Sequence, residues 1–190
     1  MQNIYFWRII PSGLPTVLKN CPRCKCNCEY ESTGNFRVNA NQNHIDVWLI
    51  YQCRKCKYTW NMEILSRVNQ STIGKELYQK FLANDKGLAL QYAYDVAVHA
   101  RNKSVLCYDD ITYEITGDAF PSGSPKEPAQ VKLVCEYDLD IRLDKLLSRQ
   151  LGIPREQVKR LCGLGKITGE SIKDPGKARA RNGMLLTFNL

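Results

Sequence analysis

The residues with the clearest chemistry are four cysteines in two pairs, Cys21-Pro-Arg-Cys24 and, after 28 intervening residues, Cys53-Arg-Lys-Cys56. Two Cys-x-x-Cys knuckles let four thiolates converge tetrahedrally on one zinc ion, each at about 2.3 Å. The two residues inside each pair form the tight turn that points both sulfurs inward. An ion held by four thiolates carries net negative charge, which nearby cations offset. Arg23, Arg54 and Lys55 within the knuckles, with Lys25 and Lys57 beside them, supply those cations. Sulfur fills every coordination position, so water has no place on the ion, and one structural zinc per chain is expected. The separation exceeds the common spacing of roughly 15–20 residues. An excursion must therefore leave and return between the knuckles, and residues Asn35 to His44 are expected to supply it. Cys26 and Cys28 crowd the first knuckle, so a shifted register such as Cys24 with Cys26 stays open beside the Cys-x-x-Cys assignment. A thioredoxin-like redox pair would need a βαβ setting, and this segment is rich in strand formers instead.

The remaining composition bounds the classes of function. At roughly 100–200 residues per domain, 190 residues make one domain or two small ones. Hydrophobic residues at 44% and charged residues at 24% are those of a globular chain. The longest apolar run, Val47 to Tyr51, is five residues, far short of the roughly 18 that a membrane span requires. Met1 to Pro11 is interrupted by Arg8 and Pro11 and lacks a basic leader, so it reads as a strand rather than a secretion signal. A soluble, cytoplasmic protein is expected, with no membrane association. Nine cysteines, an odd number, then argue for metal ligation or burial and against a disulfide framework. Lys and Arg exceed Asp and Glu by 27 to 19, a net charge of +8. Residues 1–70 and 131–190 each carry +5, and residues 71–130 carry −2. Basic ends around an acidic middle invite a polyanion.

These residues need elements to position them. Ile45 to Gln52 and Lys57 to Leu65 are rich in β-branched and aromatic residues and predict strands. Ser71 is placed to cap a helix carrying Ile73, Leu77 and Phe81 on one face, and a second helix runs from Leu88 to Arg101. Val105 to Thr116 reads as a hairpin turning at Asp109-Asp110. Residues 120–130 hold three of the eight prolines with Gly and Ser between them, and predict a linker. His44 and His99 read as ordinary polar residues, and Cys107, Cys135 and Cys162 as small core residues. Tyr92, Tyr94, Asp95 and His99 lie close along one helix. Packing and capping explain such a set more simply than an enzyme pocket does. No phosphate loop, nucleophile elbow or zinc-protease helix occurs.

Several runs carry a resemblance to a known family. Asn35-Phe-Arg-Val-Asn-Ala-Asn41, Asp46-Val-Trp-Leu-Ile-Tyr-Gln-Cys-Arg-Lys-Cys56 and Thr59-Trp-Asn61 resemble a bacterial family known only as a domain of unknown function, family 1062. Leu82-Ala-Asn-Asp85 and Tyr92-Ala-Tyr-Asp95 fit the same likeness. It covers most of the chain and implies no activity.

A second resemblance covers the C-terminal fifty or so residues. Arg142-Leu-Asp-Lys-Leu-Leu147, Pro154-Arg155, Leu161-Cys162, Gly165, Lys166-Ile-Thr168, Pro175 and Gly183-Met-Leu-Leu-Thr-Phe188 follow, in order, the pattern of the alpha-L RNA-binding fold. That fold occurs in a small-subunit ribosomal protein (the S-four type), pseudouridine synthases, tyrosyl-tRNA synthetases and a heat-shock ribosome-rescue protein. The chain departs from it after the first strand, where Gly169-Glu170 replaces Val-Asn-Gly, and at Met184, where the family has Asp. A shortened hairpin is the implied consequence.

Physical chemistry supports that likeness independently. Asp140 can cap a helix whose Leu143, Leu146, Leu147 and Leu151 form the buried face. Arg142, Lys145 and Arg149 then share another face. Pro154 suits a first helical turn, and Arg155 and Lys159 lie one turn apart, with Lys166 beyond. Two short helices offering cations outward match the phosphates of a folded RNA, where shape and backbone contacts dominate. The expected architecture is α+β. A zinc-ribbon β domain with four cysteine ligands, elaborated by two helices and a hairpin, fills residues 1–119. A linker follows at 120–130, and an alpha-L-like module fills 131–190. The expected function is non-enzymatic RNA binding through Arg142, Lys145, Arg149, Arg155, Lys159 and Lys166. A protein-interaction adaptor and an enzyme with a site between the two domains are the alternatives.

Overall fold

The computed structural model describes residues 4–120 and 128–190. It is a mixed α+β chain with two five-stranded sheets. Gly13–Ile111 form one compact unit, and the segments before and after it in sequence form the other.

The first strand, β1 (Ile4–Pro11), belongs to the second of these units. The inner unit is built on β2 (Thr16–Cys21), β3 (Cys26–Asn41), β4 (His44–Cys53), β5 (Thr59–Asn69) and β6 (Val105–Cys107), in the order β5-β4-β3-β2-β6. Strand β4 shows why the sheet packs on one face. Ile45, Val47, Leu49, Tyr51 and Cys53 are fully buried, while Asp46, Trp48, Ile50 and Gln52 between them stay half-exposed. That is the period of two of a strand with one covered face. The 28 residues between the knuckles are the long β3–β4 hairpin, antiparallel and interrupted by a bulge between Ser32 and Phe36. Helices α1 (Lys75–Leu82), α2 (Lys86–Tyr94) and α3 (Val96–Arg101) complete the unit. Phe36 of β3 meets Phe81 edge-on at 5.1 Å, and Phe81 stacks on Tyr92.

Ser71 does not cap α1. Asn69 takes the Ser71 N–H and hydroxyl, which holds Gln70–Thr72 in a single 3-10 turn. Ile73 is extended, and α1 begins after Gly74. The expected helix from Leu88 to Arg101 is two helices. The Asp95 carboxylate accepts from the Ala97 and Val98 N–H groups, so it starts a new helix rather than continuing the old one. The hairpin at Asp109-Asp110 does not form. A turn is present, with Ile111 N–H donating to the Tyr108 carbonyl, but it separates strands of different sheets. Turn residues report that the chain bends, not which strand it pairs with next.

The outer unit contains β1, β7 (Tyr113–Gly117), β8 (Ala129–Cys135), β9 (Ile167–Gly169) and β10 (Leu185–Phe188), in the order β7-β1-β8-β10-β9. Strand β1 runs parallel to β8 and antiparallel to β7. Residues up to 12 and from 112 to 119, expected with the cysteines, thus lie in the other unit. Trp7 and Ile9 are almost wholly buried in its core, and pairing that distant in sequence leaves no local signature. Of the expected linker, Phe120 packs on Trp7 and Phe188, and Ala129 and Gln130 open β8. Residues 121–127 lie outside the described residues. Helices α4 (Leu143–Leu151) and α5 (Arg155–Gly163) meet across Gly152, which ends α4 in the left-handed conformation. Leu143, Leu146 and Leu147 are fully buried at the predicted spacing. The cap is not Asp140, whose own φ is positive. Arg142 occupies the N-cap position, and an acidic residue, Asp144, sits in the first turn.

Candidate metal centre and basic face

The two knuckles are the same construction made twice. Strand β2 ends on Cys21, which pairs with Cys26 at the start of β3, and β4 ends on Cys53, which pairs with Tyr30 of β3. In each knuckle the residue after the second cysteine takes the left-handed conformation, with φ of 57° at Lys25 and 59° at Lys57. Its N–H closes the turn onto the carbonyl of the first cysteine, Lys25 to Cys21 at 2.7 Å and Lys57 to Cys53 at 2.9 Å. Both turns open at the same end of the sheet because β3 neighbours β2 and β4.

The sulfurs of Cys21, Cys24, Cys53 and Cys56 all lie within 4.8 Å of one another, and those of Cys21 and Cys56 are 3.6 Å apart. Four thiolates at about 2.3 Å from a central ion sit about 3.8 Å apart, so the group can hold a metal ion. Cys21 and Cys53 are fully buried, and Cys24 and Cys56 are half-buried. Burial alone raises the Cys21 thiol. The Tyr30 hydroxyl, the Cys24 N–H, the Cys56 thiol and the Arg23 N–H outweigh it and bring Cys21 down to about 6. Burial also opposes ionisation of Cys53, and the Cys56 and Lys55 N–H groups overcome it. The Cys24 thiol is held up, chiefly by its bond with Cys56. Proton sharing among close thiols is the chemistry a cation resolves by displacing the protons. Cys26 and Cys28 stand outside the four, with their sulfurs 3.6 Å apart.

Tyr30 was not singled out from the sequence. Its signal is the alternation Cys26, Cys28, Tyr30 along one face of β3. Of the surrounding cations, Arg54 binds Glu29 at 2.7 Å and Asp110 at 2.8 Å, and Lys57 binds Glu31 at 2.8 Å. Arg23, Lys25 and Lys55 are exposed.

His99, Tyr94 and Asp95 serve packing and capping. His99 is buried, bonded from Nδ1 to the Ser104 hydroxyl and from Nε2 to the Ala93 carbonyl, and burial holds it below its ordinary value. The Tyr94 hydroxyl donates to the Gly13 carbonyl, and His44 is exposed.

In the outer unit, the six cations expected on one surface divide. Arg142 and Arg155 both grip Asp144, whose side chain is fully buried, at 3.1 Å and 2.9 Å. Burial pushes the Asp144 carboxyl up, and the two guanidinium groups more than offset this, holding it below the usual carboxylate value. Arg149 donates to the Tyr113 carbonyl at 2.7 Å and lies over the Tyr113 ring. Lys145 and Lys166 are exposed, and Lys159 bridges Glu156 at 2.7 Å. Arg142 and Lys159 line a cavity of about 640 Å³ together with Lys173 and Lys177. Asp174 is an acidic residue on its wall, 3.3 Å from Lys177.

Lys173 and Lys177 lie in a loop without periodicity, so no helical or strand pattern marks them. The readable signal is Asp174-Pro-Gly-Lys177. Asp174 accepts the Gly176 N–H, and a side chain at Gly176 would crowd that carboxylate while making only ordinary contact with α5 at Lys159 and Cys162. The loop packs against α5 at Lys159 and Cys162 and places Lys173 and Lys177 on the cavity wall.

A mixed α+β chain with a four-cysteine group able to hold a metal ion is the class that this fold and site define. Residues 38–173 match the family described as Protein of unknown function (DUF1062), and the chain belongs to that family. The matched region contains the second knuckle, α4 and α5, and begins after the first knuckle. Neither curated proteins nor solved structures give a match. Among the described residues, no helix is long and apolar enough to cross a membrane.

Proposed function

We propose that this chain is a non-enzymatic, zinc-containing, cytoplasmic protein that binds structured RNA, ribosomal or transfer RNA, through the basic face of its outer unit. The observation that carries this reading is the cavity walled by Arg142, Lys159, Lys173 and Lys177. Arg142, Lys159 and Lys177 each also pair with a carboxylate, Asp144, Glu156 and Asp174 respectively. Cations still outnumber acidic residues on the concave wall itself, which favours phosphate. Backbone phosphates dominate recognition of folded RNA. The order helix, turn, helix, short strand, closing strand supports the alpha-L likeness read from Arg142-Leu-Asp144 and Pro154-Arg155. Lys145 and Lys166 are exposed and would add phosphate contacts. Arg149 and Arg155 hold the unit's own structure and contribute charge from there.

The inner unit is, on this reading, a zinc ribbon. Zinc suits four thiolates at tetrahedral spacing, and a closed thiolate shell contributes folding energy rather than catalysis. Cys21, Cys24, Cys53 and Cys56 would hold it, one ion per chain. A second reading, an adaptor that docks a protein partner, draws on Ile4, Phe6 and Ile10, which are 43–47% exposed along one face of β1.

Ultraviolet crosslinking in cells, followed by purification, nuclease trimming and peptide mass spectrometry, tests the RNA reading. Nucleotide adducts are expected on peptides spanning residues 142–177, with structured RNA in the sequenced fragments. Recovery of no RNA above background refutes it and leaves the adaptor.

A further inference from the structure

Six of the nine cysteines gather at one end of the inner sheet, and four of them account for the metal group. The other two, Cys26 and Cys28, are two residues apart on β3 and so project to the same face. Their sulfurs are 3.6 Å apart. Cys26 is exposed, whereas Cys28 is buried and its thiol touches those of Cys24 and Cys53. An accessible thiol thus has a second thiol in contact behind it, and neither is needed to complete the four-sulfur group.

We propose that Cys26 and Cys28 form a reversible dithiol–disulfide site, oxidised by hydrogen peroxide while the four ligand thiolates stay on their metal. Cys26 reacts first because a solvent-borne oxidant reaches it, whereas Cys21 and Cys53 are wholly covered. Its sulfur attacks one peroxide oxygen. The O–O bond breaks, an S–O bond forms, and the departing hydroxide leaves as water with the thiol's proton. The Cys28 sulfur then attacks the Cys26 sulfur. The S–S bond forms, the S–O bond breaks, and a second water carries away the Cys28 proton. Two thiols and one peroxide give one disulfide and two waters, each sulfur giving up one electron.

The backbone permits this disulfide. Residues two apart in a strand have Cα atoms about 6.4–6.8 Å apart, at the upper end of the disulfide range of about 4.4–6.8 Å. The bond can therefore close with the strand in place, and with Cys26 exposed it stays within reach of a reductant. Cys26 also pairs with Cys21 in the β2–β3 ladder, so the bond would form beside the first knuckle. The inference is independent of RNA binding.

The test treats the metal-loaded full chain with hydrogen peroxide, then alkylates, maps peptides by mass spectrometry and measures the bound metal in the same sample. The expected result is a Cys26–Cys28 disulfide that dithiothreitol reverses, with the metal-to-protein ratio unchanged. Cys26→Ser, at an exposed position, should lose the disulfide and keep the metal. Cys28→Ser should stop at a Cys26 sulfenic acid that dimedone traps. Oxidation appearing first at Cys21, Cys24, Cys53 or Cys56 with metal release overturns the proposal, as does oxidation of Cys26 without closure onto Cys28.

Discussion

Replacing Cys53 by serine removes the ligand with the deepest structural ties. Its sulfur belongs to the four-sulfur group, its residue ends β4, and its carbonyl closes the second knuckle onto Lys57. Serine keeps the backbone bonds and the approximate size but supplies a poor, protonated ligand. Structural zinc contributes an apparent 10–16 kcal/mol or so in small zinc domains. The net stability of a whole domain is only about 5–15 kcal/mol. If the four-sulfur group holds zinc, as proposed, even the lower figure is most of what would hold the inner unit folded, and Cys53→Ser should leave it near or below its unfolding point. Hydrogen exchange read by mass spectrometry on the full chain localises the effect. Peptides from β2 to β5 should lose protection, whereas those from α4 and β8, in the other unit, should keep theirs. Metal analysis should find the ion lost in Cys53→Ser and retained in Cys26→Ser. A metal-free, fully protected Cys53→Ser protein refutes the reasoning, and metal loss in Cys26→Ser refutes the choice of ligands.

Three further outcomes are expected. Asp144→Asn should weaken the outer unit by about 2 kcal/mol, since bonds to charged groups count for more than neutral ones but half-exposed arginines are partly screened. Because the Asp144 carboxyl is held below its ordinary value, its contribution is complete above about pH 4 and lost as the pH falls through the folded value. Hydrogen exchange of α4 at falling pH should show that acid sensitivity in the native protein and less of it in Asp144→Asn. Gly117→Ala should cost at least about 2 kcal/mol in chemical denaturation of the outer unit, because a methyl group there collides with the Phe6 carbonyl and φ is +115°. Arg149→Ala should cost about 1–2 kcal/mol of stability through the lost Tyr113 bond and ring contact.

How far the sequence could be read depended on whether a feature was local. The knuckles were legible because four residues suffice to make each one, and the leucine spacing of α4 was legible because a helix repeats every few residues. Asp95 was visible, but as part of a continuous helix, because the pattern of apolar residues runs through it while its carboxylate restarts the backbone. The boundary between units was not legible. Strand β1 is placed by β8, more than a hundred residues later, and nothing within Ile4–Pro11 names that partner. The basic site was half legible. Helical spacing found Arg142 and Lys159, whereas Lys173 and Lys177 join them through a loop whose path depends on Gly176 and Asp174. Burial also altered roles, since Arg155 and Arg142 look alike as exposed cations until the covered carboxylate of Asp144 is placed between them.

The most direct measurement of the central claim is the salt dependence of binding to a folded RNA, compared between the native protein and the Lys159→Ala, Lys173→Ala, Lys177→Ala triple variant. Each phosphate contact contributes about 0.7–0.9 to the slope of log affinity against log salt. If all three lysines face the RNA, the slope should fall by about 2–3 in the variant, with hydrogen exchange of α5 unchanged. Equal slopes for the two proteins, or no measurable affinity at low salt, would contradict it.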